Sequence, residues 1–200
     1  MRLLPNESTQ LLADLVARRR QIVEMSAAES QRAKRVRDKR LSKSIVRLKT
    51  ALEKELAEID IEIDDNMRGS PAWWEKEDLL TSVPGVGPIV ARTLIAEMPE
   101  LGSLDRRCVA SLAGLAPWTR QSGQWRGRSF IGGGRSPARS ILFVAAMAAS
   151  RHNPTLRDCR LRLTAAGKPK MVVMIAVARK LLTILNAILR DKMPRRPENA

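Results

Sequence analysis

The chain contains no tyrosine, and aromatic residues make up only 3% of its 200 residues. Its rings are two phenylalanines and the four tryptophans Trp73, Trp74, Trp118 and Trp125. A protein that bound nucleic acid mainly by base stacking would need more rings than this. We therefore expect any nucleic-acid recognition to use phosphate contacts and backbone shape.

Cysteine and histidine are also scarce, with two cysteines and one histidine. Cys108 and Cys159 do not form a CxxC motif, and His152 has no second histidine to pair with as a metal ligand. These residues do not support a zinc site, and two reduced thiols in the cytoplasm are expected. His152 lies at a predicted helix junction, where a packing or capping role is the ordinary one.

Long apolar runs are missing as well. The longest, residues 141–149 and 171–178, have nine and eight residues, whereas a membrane-spanning helix needs about 20. The N-terminal segment MRLLPNEST has no apolar signal core and no cleavage-site pattern. We therefore expect a cytoplasmic protein with no membrane partner.

Acidic residues are few relative to basic ones. Lys plus Arg number 36 against 21 Asp plus Glu, which gives a formal net charge of +15. Such an excess attracts polyanions and releases their counterions on binding. Nucleic acid is the first candidate partner. An anionic membrane surface is the second by charge, but no large aromatic apolar face accompanies the basic residues, which disfavours it.

Residues 114–139 concentrate the glycine and arginine of the chain, with six glycines and five arginines. Glycine allows sharp turns and close approach to a ligand, and arginine holds phosphate oxygens with paired donors. The arginines are Arg120, Arg126, Arg128, Arg135 and Arg139. Ser122 stands among them, and its hydroxyl could attack a phosphodiester if a base removed its proton. It is the candidate catalytic residue.

Two simpler interpretations of this loop remain open. Ser122 and Gly123, flanked by WTRQ and QWRG, are also typical of a β-hairpin turn. Basic glycine-rich loops also bind nucleic acid without performing chemistry. The residues by themselves do not decide between catalysis and phosphate binding.

The first seventy residues show two helical patterns. An apolar side in residues 11–23 is followed by a densely basic stretch, and a second apolar stripe then repeats at intervals of three and four residues. That stripe consists of Ile45, Leu48, Leu52, Leu56, Ile59, Ile63 and Met67. This spacing predicts an antiparallel helical hairpin with a coiled-coil seam, which could also join two protomers. Its charges fit a solvated face as well as a DNA contact.

The segment LLTSVPGVGPIVARTLIAEM has the spacing of a helix-hairpin-helix motif. Gly85 and Gly87 would form its tight turn, and Pro88 fits the first position of the second helix. The free amides at that helix start could accept a DNA phosphate. A hairpin used only for packing is the alternative.

We predict a mainly α fold, in which the helical hairpin precedes a compact helical domain that carries one short β-like loop around Ser122. The expected boundaries are 1–69 for the arm, 70–193 for the compact domain and 194–200 for a disordered tail. Ser103, Ser136 and Asn153 are expected to begin helices, and the apolar helix after Ser136 should lie in the core.

Four blocks follow one another along the chain: VPGVGPIVARTLIAE, GLAPWTRQSGQWRGR, IGGGRSPARSILFVAAMAASRHNP and GKPKMVVMIAVARKLLTILNAILRD. In this order they resemble the C-terminal half of the insertion-sequence one-ten family of transposases, the bridge-RNA-guided recombinases of bacterial mobile elements. The N-terminal arm is similar to the helical linker of that family, so the resemblance covers nearly the whole chain.

The resemblance implies that Ser122 forms a covalent phosphoserine link to DNA and that the loop arginines neutralise or hold the phosphate. It also implies DNA and guide RNA as partners. Family members begin with a RuvC-like domain whose acidic residues bind divalent metal, and no such acidic cluster occurs in this sequence. We therefore expect no cofactor in this chain, and a truncated transposase that is inactive alone. The alternative is a non-catalytic DNA-binding or regulatory protein that joins full-length transposase.

Overall fold

The computed structural model describes residues 7–119, 121–122, 125–126 and 129–194, without the side chains of residues 121, 122, 125 and 126. The helices are α1 (Glu7–Ala33), α2 (Lys39–Arg68), α3 (Pro71–Thr81), α4 (Pro88–Glu97), α5 (Arg106–Leu112), α6 (Ser136–His152), α7 (Pro154–Ala165) and α8 (Lys170–Asp191). The strands are β1 (Pro117–Trp118), β2 (Gln121–Ser122), β3 (Trp125–Arg126) and β4 (Phe130–Ile131). The predicted mainly α class is confirmed.

The chain forms two compact units, Met1–Pro71 and Ala72–Ala200. The predicted residue boundaries of functional domains stay predictions. The predicted disordered tail falls largely on residues 195–200, which lie outside the described residues.

In the first unit, α1 and α2 pack against each other and are joined by residues 34–38. Helix α2 begins where the Asp38 carboxylate accepts hydrogen bonds from the backbone N–H groups of Arg40 and Leu41, both at 2.9 Å. Such a cap satisfies amides that have no partner within the helix. These are the two helices that the hairpin prediction requires, and the coiled-coil arrangement stays a prediction.

The apolar stripe of α2 is buried unevenly along its length. Ile59, Ile63 and Met67 near its C-terminal end are buried, whereas Leu48 is 47% exposed. A salt bridge from Arg19 to Asp60, with Nε and Oδ1 2.6 Å apart, links the two helices beside the buried part. Among the described residues, the first half of α2 therefore presents apolar side chains that remain exposed.

Helix α8 is the central core helix of the second unit. It packs against α5, α6 and α7, and α4 packs against α6. Val177, Leu181, Leu182 and Leu185 on α8 are fully buried. The face of α6 that turns inward is rich in alanine, which lets helices approach closely. The prediction that α6 belongs to the core is confirmed.

Asn186 of α8 is a buried polar residue whose side chain is satisfied at both ends. Its Oδ1 accepts from the Gly102 N–H at 2.9 Å, and its Nδ2 donates to the Leu104 carbonyl at 2.8 Å. A buried amide without such partners would cost stability. Asn186 thereby fastens the segment before α5 to the core.

By length and composition, α8 is apolar enough to cross a membrane. The same properties are found in helices at the centre of a folded core. Here one side of α8 is covered by α5, α6 and α7, and Asn186 is bonded to a loop. This packing is that of a core helix.

The helix starts mostly follow the expected caps, with one exception. Helix α4 begins at Pro88, α6 at Ser136 and α7 after Asn153, as predicted. The expectation that Ser103 caps α5 is wrong, because the Asp105 carboxylate accepts from the N–H groups of Arg107 and Cys108. The Ser103 hydroxyl instead donates to the Glu100 carbonyl at 2.6 Å.

Candidate nucleic-acid interface

The glycine- and arginine-rich segment folds into two short antiparallel pairs of strands. Strand β1 pairs with β4, placing Trp118 opposite Phe130, and β2 pairs with β3, placing Ser122 opposite Trp125. Residues 123 and 124, which connect β2 to β3, lie outside the described residues, as does the side chain of Ser122. The β-like character expected around Ser122 is therefore present in the backbone.

Glycines close the base of this loop, where its two ends meet. Gly134 has a φ of +60°, and a Cβ there would overlap the backbone of Gly114. Beside this contact, the Arg135 N–H donates to the Leu112 carbonyl at 2.8 Å. A side chain at Gly134 would both strain the backbone and separate the two ends. We call residues 112–118 and 130–135 the stem of the loop.

Arg135 is engaged by two neighbouring segments of the protein. Its guanidinium donates to both carboxylate oxygens of Glu100, at 2.6 and 2.7 Å, and to the Glu97 carbonyl at 2.6 Å. The hydrogen bond to Glu100 raises the pKa of Arg135 above its ordinary value. The guanidinium is half-buried, and it donates its hydrogen bonds to oxygens of the protein. Arg135 therefore joins the stem to the end of α4.

Arg139 also contacts the stem. Its Nη1 donates to the Gly133 carbonyl at 2.7 Å. The side chains of Arg120, Arg126 and Arg128 lie outside the described residues. The phosphate-binding role predicted for all five arginines stays a prediction, and the contacts of Arg135 and Arg139 favour positioning of the loop.

The two glycines of the predicted helix-hairpin-helix differ in their surroundings. Gly85 has a φ of +94°, and a Cβ there would overlap the Ala149 backbone on α6. Gly87 precedes α4 with a φ of −97° and has no neighbouring heavy atom within 4 Å of a Cβ position. Gly85 thus packs the turn onto the core, and Gly87 leaves the start of α4 accessible.

A salt bridge fastens α3 to α4 behind this turn. The Arg92 Nε lies 2.9 Å from Glu77 Oε1, and the Glu77 side chain is only 9% exposed. Because a carboxylate is costly to bury without a partner, Arg92 stabilises Glu77 and connects the two helices through their side chains. The use of the turn as a DNA grip stays a prediction.

Sequence reasoning did not identify a basic groove between α5 and α8. Arg106 and Arg107 on α5 and Arg179, Lys180 and Thr183 on α8 line this groove, whose volume is about 580 Å³. The helical period placed Arg179 and Lys180 off the apolar face of α8. The sequence pattern of α8 did not indicate that α5 packs beside these two residues. We call this feature the α5–α8 groove.

The divalent metal implied by the resemblance does not fit the described part of the chain. Within residues 7–194, apart from the gaps already given, no group of three or more His, Cys, Asp or Glu side chains could hold a metal ion. No step proposed below depends on such an ion.

Comparison with known proteins identifies the family. Residues 77–159, which include α4, the loop and α6, match the model of the transposase IS116/IS110/IS902 family. The chain belongs to this family. The stem and the turn at Gly85 fall inside the matched segment. So do the paired strands β2 and β3, which we call the Ser122 ribbon.

Individual relatives agree with the family assignment. The chain is 32% identical over 143 residues to the pilin gene-inverting protein of Moraxella bovis, covering 70% of this chain and 44% of that protein. It is 34% identical over 115 residues to the insertion element IS110 43.6 kDa protein of Streptomyces coelicolor, covering 56% and 28%. It is 28% identical over 178 residues to the insertion element IS116 44.8 kDa protein of Streptomyces clavuligerus, covering 84% and 42%. The chain thus spans less than half the length of these relatives.

Proposed function

We propose that this chain is the DNA-binding, nucleophile-bearing part of a transposase, and that Ser122 attacks a DNA phosphodiester. The observation that carries the proposal is the backbone position of Ser122, in a short ribbon that rises from a stem closed by glycines. Membership of a transposase family and the inversion of a gene by the Moraxella relative, as its name states, agree with this chemistry.

The proposed step exchanges one phosphoester bond for another. The Ser122 oxygen forms a bond to phosphorus as the bond from phosphorus to one deoxyribose oxygen breaks. The serine proton passes through a base to the departing oxygen. Because the new phosphoserine bond retains the energy of the broken one, a second DNA hydroxyl can later displace the serine and rejoin a strand.

The arginines divide into two groups in this proposal. Arg126 belongs to β3, and Arg120 and Arg128 lie beside β2 and β3 in the sequence. All three would stabilise the charge that develops on the phosphate oxygens. Arg135 and Arg139 would hold the stem, because their donors already bond to Glu100, to the Glu97 carbonyl and to the Gly133 carbonyl. A rigid stem would hold the serine in a reproducible position.

The turn before α4 would add a second DNA contact. Among the described residues, no side chain caps the first amides of α4, and Gly87 and Pro88 beside them are exposed. A phosphate placed there would gain hydrogen bonds and a favourable helix dipole. Gly85 and Gly87 would thus act together, since Gly85 fixes the turn and Gly87 keeps its outer surface open.

The proposed partners are DNA, a guide RNA and further transposase protomers, and the proposed place of action is the bacterial nucleoid in the cytoplasm. Catalysis would need acidic, metal-binding residues of the RuvC-like kind that the family resemblance implies. The exposed apolar side chains in the first half of α2 support association through the arm.

A covalent trapping experiment tests the proposal. The chain is incubated with a nicked suicide duplex, with and without a separately supplied RuvC-like domain and guide RNA, and adducts are separated on a denaturing gel. We expect a protein–DNA adduct that Ser122→Ala abolishes. Ser129→Ala is the matched control, because Ser129 is an exposed serine of the same loop, and it should leave the adduct unchanged.

Two results would count against catalysis by Ser122. The first is an adduct that persists in Ser122→Ala. The second is DNA binding without an adduct when the acidic domain and guide RNA are both present. That second result would assign the chain to the non-catalytic alternative, a DNA-binding or regulatory subunit.

A further inference from the structure

The α5–α8 groove contains cationic side chains that no described residue neutralises. Among the described residues, the guanidinium groups of Arg106, Arg107 and Arg179 make no hydrogen bond and no ion pair. This differs from the stem, where Arg135 and Arg139 are both bonded to protein oxygens. Like charges that converge without acidic partners repel one another, and an anionic ligand would relieve that repulsion.

The acidic residue that immediately precedes α5 bonds to the backbone of the helix. Asp105 caps the helix by accepting from the backbone N–H groups of Arg107 and Cys108, at 2.6 and 3.0 Å. The Cys108 backbone N–H is the main cause of the lowered pKa of Asp105, and the charge of Arg107 contributes less. The carboxylate therefore serves the helix amides and forms no salt bridge with the guanidinium groups of the groove.

The α8 wall of the groove is held in place by core packing. Arg179, Lys180 and Thr183 are half-buried on the side of α8 opposite its fully buried leucines Leu181 and Leu185. Lys180 Nζ donates to the Thr155 carbonyl at 3.3 Å, which connects α8 to the first turn of α7. The remaining ammonium protons of Lys180 and the guanidinium groups are donors suited to phosphate oxygens. The Thr183 hydroxyl already donates to the Arg179 carbonyl, at 3.0 Å.

We propose that the α5–α8 groove binds a nucleic-acid backbone through its phosphates, as a site separate from the Ser122 loop. Helix α5 has seven residues, so its length is about 10 Å. The groove lies at its start, and the stem follows its end. About three nucleotides of one strand, at 3.4 Å each, span that distance, so one polymer could contact both features.

This inference rests on the proposed nucleic-acid function but does not depend on catalysis by Ser122. Duplex DNA and a base-paired guide RNA have the same phosphodiester chemistry, and the groove recognises that shared chemistry. The test therefore uses both polymers.

The first measurement is the salt dependence of binding by fluorescence anisotropy, with a duplex DNA and an RNA hairpin of equal length. The groove variant is Arg107→Gln with Arg179→Gln. Each lost phosphate contact lowers the slope of log affinity against log salt by about one, so we expect the slope to fall by about two. Circular dichroism melting verifies that the variant is folded.

The matched control removes the same charge elsewhere in the same unit. Arg162 and Lys168 are exposed residues near the end of α7 and outside the groove. Arg162→Gln with Lys168→Gln should change the slope by less than one. A larger change in the groove variant with DNA, RNA or both supports the proposal and identifies the polymer. Equal slopes for the two variants with both polymers would overturn it.

The second measurement locates the contact in the unaltered protein. Acetylation of lysines is followed by mass spectrometry with and without bound nucleic acid. We expect bound polymer to slow modification of Lys180 more than that of Lys168, and equal protection would refute the site. If the chain bound neither polymer, both this inference and the proposed function would fail. If it bound without forming an adduct, only the catalytic proposal would fail.

Discussion

The guanidinium of Arg135 donates hydrogen bonds to other groups of the protein. The glycine- and arginine-rich composition of the loop predicts that Arg135 binds phosphate. Its partner Glu100 lies 35 residues away in the sequence, and both carboxylate oxygens accept from the guanidinium. Paired hydrogen bonds between a planar guanidinium and a carboxylate fix direction as well as distance. A residue of this kind can be essential to binding without touching the ligand.

We predict that Arg135→Ala lowers the free energy of unfolding by about 1–3 kcal/mol, because it leaves the partly buried Glu100 carboxylate without its charged donor. Chemical denaturation followed by tryptophan fluorescence measures this. DNA affinity should fall as well, because the stem is no longer attached to α4.

Glu100→Gln separates the two roles of Arg135. If Arg135 positions the stem, this variant should also lower affinity, since it removes the ion pair of that attachment while the hydrogen bond to the Glu97 carbonyl remains. If Arg135 binds phosphate directly, Glu100→Gln should leave affinity unchanged or increase it, and the positioning role would be wrong.

In the turn between α3 and α4, two glycines of one motif differ in their backbone angles and in the space around them. Gly85 adopts a positive φ against the Ala149 backbone, whereas Gly87 has an ordinary φ and open space around it. The motif therefore combines a packing position with an accessible one. Its pattern in the sequence does not separate them.

We predict that Gly85→Ala lowers the free energy of unfolding by at least about 2 kcal/mol, because it combines unfavourable dihedral angles with overlap against α6. Gly87→Ala, the matched control, should change it by less than about 1 kcal/mol. Thermal or urea unfolding of the two variants measures the difference. Similar losses in both would mean that the turn does not pack on α6 as described.

The arm and the compact unit differ in how fully they bury their apolar residues. Helix α8 is covered by three neighbouring helices of its unit. Along α2, by contrast, Leu41, Val46 and Leu48 are 57%, 59% and 47% exposed. Leu41 and Leu48 are seven residues apart and so lie on the same side of α2. Exposed apolar side chains on one side of a helix are typical of a surface that contacts another molecule. A second copy of the chain is the occupant proposed above.

We predict that the chain self-associates and that Leu41→Glu with Leu48→Glu weakens the dimer at least tenfold. Burying one leucine contributes about 1.5–3 kcal/mol, and 1.4 kcal/mol corresponds to a factor of about ten. Sedimentation velocity over a range of protein concentrations measures the shift. Ser42→Glu with Ser44→Glu adds the same charge on the same helix and should have a smaller effect. A monomer at every concentration for the unaltered chain would contradict the prediction.

Features that depend on neighbouring residues could be read from the sequence. The mainly α class and the starts of α4, α6 and α7 followed from helical periodicity, from Pro88, from Ser136 and Pro137, and from the cap at Asn153. These signals work locally, because a helix satisfies its own backbone and its first amides take a nearby side chain. The cap of α5 was assigned wrongly because Ser103 and Asp105 are both good caps and only one could be used.

The candidate nucleic-acid interface is formed by residues that are far apart in the sequence, so the sequence pattern did not predict its contacts. The sequence by itself determined a basic chain, a helical class and a loop in which Ser122 stands among arginines. Only the tertiary structure decided that Arg135 bonds to Glu100, that Gly85 packs on Ala149, and that Arg106 and Arg107 lie beside Arg179 and Lys180. Charge and hydrogen-bonding capacity are properties of a residue type. Whether a cation is neutralised or available to a ligand depends on which helices the core brings together.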